Sequence, residues 1–102
     1  MAPARPPRTV IQSPRFARAV KRLHPKEKLA LDDEVKATVK EPLRGEPKVG
    51  ALKGVRVVKY KVAKAQSLMA YTFDDKRNVI ELVDLGSHEN FYRDLQEYLD
   101  SR

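Results

Sequence analysis

The segment EPLRGEPKVG, residues 41–50, divides the chain into two parts with different hydrophobic periodicities. Its two prolines and two glycines disfavour both helix and strand, so we expect a loop here. Apolar residues before the segment recur every three to four positions, which is typical of amphipathic helices. After the segment, apolar residues come in short β-branched runs that partly alternate with polar ones, which favours strands. The pattern therefore predicts a helical part followed by a sheet-forming part.

The helical part is expected to open with a short strand. Residues 8–12 (RTVIQ) are rich in β-branched residues, which favours a strand. Ser13 and Pro14 are typical of a helix start, with serine as the N-cap and proline at the first helical position. Pro25 ends this helix and opens a second one that reaches about Lys40, so the two helices form a hairpin. The apolar stripe of the first helix comprises Phe16, Val20 and Leu23.

Three strand-like runs and a last helix are expected after the loop. The runs are joined by short loops, which favours an antiparallel meander, and they cover residues 55–63, 67–73 and 78–86. In an unbroken strand, Val55 and Val57 would point to the same side as Lys59 and Lys61. We therefore expect a twist or bulge near residues 57–58. We expect the last helix over about 88–100, with Ser87 as its N-cap. Its buried residues would be Phe91, Leu95 and Leu99.

These elements predict an α+β fold, in which an N-terminal strand and a helical hairpin pack on an antiparallel sheet with a C-terminal helix. The 102 residues suffice for one domain with one core, which we place at residues 8–102. Residues 1–7 are proline-rich and are expected to form a flexible arm. The absence of cysteine excludes disulfides and thiolate metal sites and favours a cytoplasmic protein. We find no secretory signal and no run of apolar residues long enough to span a membrane.

Basic residues are concentrated in two blocks. The chain has a net charge of +7, with +7 in residues 1–28 and +6 in residues 43–65, whereas the three remaining stretches each carry −2. Such blocks indicate a polyanion or an acidic protein as a partner. Solvated lysines that only keep the chain soluble are the alternative explanation.

Two parts of the sequence carry residue types suited to phosphate chemistry. Lys59 and Lys61 are spaced about 6.6–7 Å along one face of a strand, so their ammonium groups could hold successive phosphates. His88 would lie at a helix N-terminus, where the dipole attracts anions and keeps imidazole closer to neutral, with Tyr92 one turn further on. Plain structural explanations exist for both, namely a solvated strand face and an exposed first-turn histidine. The basic patch is widened by Lys53, Arg56 and Lys64.

Several motifs together resemble the RelE/ParE superfamily of type II toxin–antitoxin toxins. They are LKG at 52–54, VVKYKV at 57–62 and MAYTFDDKRNVIELVDLGSH at 69–88, followed by a Phe-Tyr pair. The opening FARAVKRLHPKEKLAL resembles the helical hairpin of that family. The resemblance covers roughly residues 9–99 and implies the RelE-like fold. Within the superfamily it leans toward the ribosome-dependent mRNA endonucleases of the RelE, YafQ and HigB kinds.

The resemblance implies roles for the residues singled out above. Lys59 and Lys61 match a catalytic Lys-x-Lys of RelE-like members, and His88 matches the catalytic histidine of a YafQ-like Gly-Ser-His. Tyr92 matches a functional aromatic that would orient or stack a base. The implied reaction is a metal-free and cofactor-free cleavage, in which the mRNA 2′-hydroxyl attacks the adjacent phosphate. RNA binding would fall to Lys53, Arg56, Lys64 and Gln66.

The resemblance also implies a cognate antitoxin, the ribosome and mRNA as partners. The sequence departs from the family patterns at three positions. Val62 and Gln66 stand where YafQ-like members carry histidine or an acid, and Leu68 stands where RelE-like members carry an arginine. Two alternatives stay open on these residues: a ParE-like inhibitor of DNA gyrase and a catalytically degenerate family member.

Overall fold

The computed structural model describes residues 8–87 and 90–102 and contains one five-stranded sheet with three helices. The helices are α1 (Pro14–Lys21), α2 (Pro25–Lys40) and α3 (Phe91–Ser101). The strands are β1 (Thr9–Gln12), β2 (Glu46–Pro47), β3 (Arg56–Val62), β4 (Ala65–Asp74) and β5 (Val79–Gly86). Their order in the sheet is β1-β5-β4-β3-β2, with β1 parallel to β5 and the other neighbours antiparallel. The predicted α+β class, helical hairpin and meander are confirmed, and the predicted arm at 1–7 lies outside the described residues.

Helices cover both faces of the sheet. On one face, Phe16 of α1 and Leu31 of α2 pack against strand residues that include Met69. On the other face, Phe91 and Leu95 of α3 pack on a second cluster. We call these the hairpin face and the α3 face. Along the described parts of the chain, no helix is both long and apolar enough to cross a membrane.

The sheet is covered on both faces at the start of β3. This explains why valines are found on the side of the strand that later carries the lysines. Val55 and Val57 are buried in the cluster beneath α3. The pairing of β3 with β4 runs without interruption through all seven residues of β3, so the bulge predicted near residues 57–58 is wrong. The register shift lies instead between β4 and β5, beside Ala70 and Tyr71.

Ser13 fixes the start of α1 to the sheet, as the sequence predicted for an N-cap. Its hydroxyl accepts a hydrogen bond from the Phe16 backbone N–H at 3.0 Å and donates one to the Val83 carbonyl at 2.6 Å. One buried side chain therefore satisfies a free helix donor and a carbonyl of β5 together.

The start of α3 differs from the prediction. The helix begins at Phe91 with Asn90 at the N-cap position, so the predicted start near residue 88 and the predicted cap at Ser87 are wrong. The reason is tertiary, because the Phe91 ring packs against Gly86 at the end of β5. A Cβ atom at Gly86 would lie only 2.7 Å from Cδ1 of Phe91.

The segment at 41–50 is more ordered than a plain loop. Glu46 and Pro47 form the short strand β2 on Val57 and Arg56, and the proline is tolerated because β2 is an edge strand. Tyr71 stabilises the turn that precedes β2. Its hydroxyl donates to the Pro42 carbonyl at 2.7 Å and accepts from the Gly45 N–H at 2.9 Å.

Ala63 occupies the first position of the two-residue turn between β3 and β4, with φ of 55°. Positive φ there costs a non-glycine residue about 1–2 kcal/mol, whereas glycine loses only about 0.5–1 kcal/mol through chain entropy. We therefore expect Ala63→Gly to raise the free energy of unfolding in urea by up to about 1 kcal/mol. The matched variant Ala65→Gly, in β4, should lower it, and equal losses in both variants would contradict the turn geometry.

Candidate functional site

The sheet register brings the lysine pair of β3 into line with the end of β5. Lys59 pairs with Leu68, and Leu68 pairs with Gly86, so the three residues form one row across the α3 face. Neighbouring strands lie about 4.8 Å apart, which puts the backbones of Lys59 and Gly86 about 10 Å from each other. Lys61 pairs with Gln66 in a later row on the same face. His88 follows Gly86 by two positions and lies outside the described residues.

The lysines on this face carry uncompensated charge. Both ammonium groups of Lys59 and Lys61 are exposed, and no carboxylate among residues 8–87 and 90–102 forms an ion pair with either. Some basic side chains elsewhere do form ion pairs, for example Arg15 with Asp84 at 3.0 Å. Lys53 and Lys64 are exposed and unpaired within the same described ranges. The β3 surface is therefore electropositive and open to an anion.

Arg56 was expected to widen this patch, but the structure places it apart from the two lysines. It has the parity of Val58, so it belongs to the hairpin face. Its guanidinium donates to the carbonyls of Leu43 at 3.0 Å and Gly45 at 2.8 Å. Both hydrogen bonds stabilise the turn before β2, so Arg56 has a structural role.

Tyr92 lies in the first turn of α3, at the edge of the apolar cluster. Its ring meets Phe91 edge to face at 5.5 Å, and the Lys48 ammonium lies 4.8 Å from the ring centroid. The hydroxyl is buried and finds no hydrogen-bond partner among the described residues. Because α3 begins at Phe91, the expected spacing of one helical turn between His88 and Tyr92 does not apply.

Lys48 is a cation near Tyr92 that sequence reasoning missed. Its backbone N–H bonds to the Val55 carbonyl at 2.9 Å, and its ammonium lies 3.4 Å from a Glu46 carboxylate oxygen. Nothing in the local sequence links it to an aromatic residue 44 positions later.

The lysine surface is open rather than enclosed. A cavity of about 250 Å³ exists elsewhere, beside α1, where Arg15, Arg18, Arg22 and Asp84 line it. Over the described ranges, no group of three or more His, Cys, Asp or Glu side chains is placed to hold a metal ion. An open, positively charged strand face suits a polymeric anion better than a small molecule.

One family model, that of the ParE-like toxin of type II bacterial toxin–antitoxin systems, matches residues 10–96. The chain belongs to this family. The resemblance to the RelE/ParE superfamily that the sequence indicated is thereby confirmed. No curated protein matches the chain by sequence.

Solved structures of RelE toxins share the fold of this toxin. The Escherichia coli RelBE toxin–antitoxin complex matches with a TM-score of 0.68 and 13% identity, covering 80% of this chain and 98% of that chain. The RelBE2 complex of Mycobacterium tuberculosis gives 0.70 and 21%, covering 80% and 99%. A free arginine-to-alanine variant of Escherichia coli RelE gives 0.72 and 13%, covering 90% and 97%. At these identities the likeness establishes the fold of the toxin.

Proposed function

We propose that the toxin is a ribosome-dependent endoribonuclease that cuts mRNA and so inhibits translation in the cytoplasm. The observation that carries the proposal is the pair of exposed lysines without ion pairs, Lys59 and Lys61, of which Lys59 is in one row with Gly86 at the end of β5. A phosphodiester bound between Lys59 and Gly86 would meet the Lys59 ammonium, with the Lys61 ammonium two residues further along the strand. Charge that develops on phosphate would be stabilised there.

The proposed reaction needs only the RNA and side chains of the toxin. The 2′-hydroxyl oxygen attacks the adjacent phosphorus as it loses its proton, and the bond from phosphorus to the 5′-oxygen breaks. The products are a 2′,3′-cyclic phosphate and a 5′-hydroxyl, which takes up a proton. Lys59 and Lys61 stabilise the negative charge of the transition state, and His88 transfers one of the two protons. No metal or cofactor takes part in this scheme.

The remaining residues are assigned to RNA binding. Gln66, opposite Lys61, can donate and accept hydrogen bonds on the α3 face. Lys53 adds positive charge within the basic stretch 43–65. Tyr92 is proposed to contact a base at the edge of α3. Since Lys48 lies over its ring, this contact requires the lysine side chain to move aside.

A cognate antitoxin is the protein partner that we propose. RelE is complexed with its antitoxin in the Escherichia coli and Mycobacterium tuberculosis structures, and a RelB peptide is bound in a further one. For this toxin, an antitoxin segment with acidic residues would neutralise the unpaired lysines of β3. Such binding would block RNA from the same surface.

The second candidate is an inhibitor of DNA gyrase without catalytic residues. The description of the matching family, a ParE-like toxin, favours it. The fold is common to both functions, so the target has to be measured.

Expressing the toxin in a bacterial culture and measuring both transcripts and plasmid supercoiling distinguishes the two functions. We expect primer extension to show cuts within translated transcripts after the toxin is expressed, while plasmid supercoiling stays unchanged. His88→Ala should abolish the cuts, whereas Lys36→Ala, an exposed change on α2, should leave them. Loss of supercoiling with intact transcripts would instead assign the gyrase function, and growth arrest by His88→Ala equal to wild type would exclude the proposed chemistry.

A further inference from the structure

Strand β5 contains one residue more than the stretch of β4 with which it pairs. Leu82 pairs with Tyr71, whereas Asp84 pairs with the preceding Ala70, so Val83 is inserted as a β-bulge. Leu82 lies in the cluster of the hairpin face, and Val83 lies in the cluster of the α3 face. Asp84 pairs with Ala70, which belongs to the α3-face cluster. Val83 and Asp84 therefore point to the same side of the sheet.

The bulge decides which residue of β5 lies in the row of Lys59. Beyond the bulge, Leu68 pairs with Gly86, and this pairing places Gly86 in that row on the α3 face. If the pairing before the bulge continued without the inserted residue, Leu68 would pair with Leu85, and Gly86 would lie on the hairpin face. The start of α3 would move as well, because the ring of Phe91 packs against Gly86. One inserted residue thus aligns both β5 and α3 with the lysine strand.

Asp84 is the charged residue of the bulge, and only 4% of its surface is exposed. Its Oδ1 accepts a hydrogen bond from the Leu85 N–H at 2.8 Å, and its Oδ2 lies 3.0 Å from Nε of Arg15. The second contact is an ion pair rather than a hydrogen bond, because the Nε–H group is not aligned with that oxygen. In the unbroken register, Asp84 would pair with Met69, and its carboxylate would enter the apolar cluster of the hairpin face. Burial of an uncompensated carboxylate is costly, so Asp84 disfavours that register.

The beginning of α1 contacts the bulge from the edge of the sheet. Strand β1 ends before Val83 is reached, and the Ser13 hydroxyl donates a hydrogen bond to the Val83 carbonyl at 2.6 Å. Arg15, two residues further on, forms the ion pair with Asp84. The Arg15 guanidinium also lies 5.3 Å from the centroid of the Tyr98 ring in α3, within the range of a cation–π contact. Arg15 therefore links α1, the bulge and α3.

We propose that Asp84 is a positioning residue for the cleavage of mRNA, because it selects the bulged register of β5. The inference rests on the proposed function and adds the device that aligns the two sides of its site. Since Asp84 is buried, it acts through the backbone of β5 and the first turn of α3, which carries Tyr92. A shift of one residue moves a strand by about 3.3 Å. A displacement of only about 1 Å between reacting groups can slow a reaction about 10²-fold.

The first measurement is the register itself, read from nuclear Overhauser effects (NOEs) between backbone protons of β4 and β5 in the free toxin. The wild type should show NOEs between Leu68 and Gly86. In Asp84→Ala, NOEs between Leu68 and Leu85 should replace them, because alanine carries no penalty in the unbroken register. Asp84→Asn should keep the wild-type pattern, because its amide is also costly to bury in an apolar cluster.

The second measurement is the single-turnover rate of cleavage on programmed ribosomes at increasing toxin concentration. Asp84→Ala should lower the maximal rate by about 10²-fold. The toxin concentration that gives half of that rate should stay unchanged, because Asp84 is buried and does not contact RNA. Asp84→Asn should restore most of the rate. The matched control is Glu81→Ala, which removes the β5 carboxylate that pairs with Arg102 at 2.6 Å before the bulge and should cut at the wild-type rate. Urea unfolding identifies a temperature at which all variants are folded.

Three outcomes would overturn the proposal: unchanged NOEs in Asp84→Ala, a wild-type rate in that variant despite changed NOEs, or an equal loss of rate in Glu81→Ala. The result is separable from the proposed function. Cut mRNA with unchanged NOEs would reject the role of Asp84 alone. If the wild-type toxin cuts no mRNA, the nuclease and the positioning role both fail, and changed NOEs would keep Asp84 only as the residue that sets the register.

Discussion

Replacing Lys59 with alanine should slow the cleavage of ribosome-bound mRNA by about 10²–10³-fold. Lys59 lies in the row that reaches Gly86, and its ammonium has no carboxylate partner among the described residues. Its charge is therefore available to the phosphate as negative charge develops during attack. Removal of one such group raises the barrier without altering the sheet, because the side chain is exposed.

The measurement is a single-turnover rate on programmed ribosomes with toxin in excess. Lys61→Ala should give a loss of similar size, and the double variant should lose less than the product of the two because both act on one phosphate. Lys36→Ala removes an exposed lysine of α2 and should cut at the wild-type rate. Wild-type rates for both Lys59→Ala and Lys61→Ala would show that the β3 lysines have no part in the chemistry.

Replacing Tyr71 with phenylalanine should lower the free energy of unfolding by about 2–4 kcal/mol. The Tyr71 hydroxyl joins the Pro42 carbonyl and the Gly45 N–H, and both of these residues are buried. Phenylalanine fills the same space but leaves one donor and one acceptor without partners. Each unsatisfied group costs about 1–3 kcal/mol. Urea unfolding followed by circular dichroism measures the change.

Tyr60→Phe is the matched control, because that hydroxyl is only partly buried and bonds to the Ser67 side chain. It should cost less than about 1 kcal/mol. Burial also raises the pKa of Tyr71, so its contribution is fully present below pH about 10 and is lost as pH rises further. Stability of Tyr71→Phe should therefore fall less steeply above that pH. Equal losses of unfolding free energy in Tyr71→Phe and Tyr60→Phe would show that the hydrogen bonds of the Tyr71 hydroxyl do not stabilise the fold.

The first half of the fold could be predicted because its signals are local. Ser13 and Pro14 start α1, and Pro25 starts α2, through capping and backbone chemistry that acts within a few residues. At the start of α3 the local signal was ambiguous. Ser87 is as good a cap as Asn90 by sequence, and the choice between them depends on the packing of Phe91 against Gly86.

For the candidate site, the alternation of side chains along a strand predicted only which residues share a face of the sheet. Alternation put Lys59 and Lys61 on one face, and the structure agrees. Alternation also puts Arg56 on the other face, but its bonds to the turn before β2 depend on a two-residue strand that the sequence did not reveal. The contact of Lys48 with Tyr92 joins parts of the chain that only the completed sheet and α3 bring together.

We propose that the toxin cuts RNA through the 2′-hydroxyl beside the broken bond. The most direct test compares two ribosome-bound mRNAs that differ only at the mapped cut, where one carries the 2′-hydroxyl and the other a hydrogen. The toxin should cut the first, leaving a 2′,3′-cyclic phosphate, and should leave the second intact. Cutting of the 2′-deoxy mRNA at the same position, or of neither mRNA, would contradict cleavage by the 2′-hydroxyl.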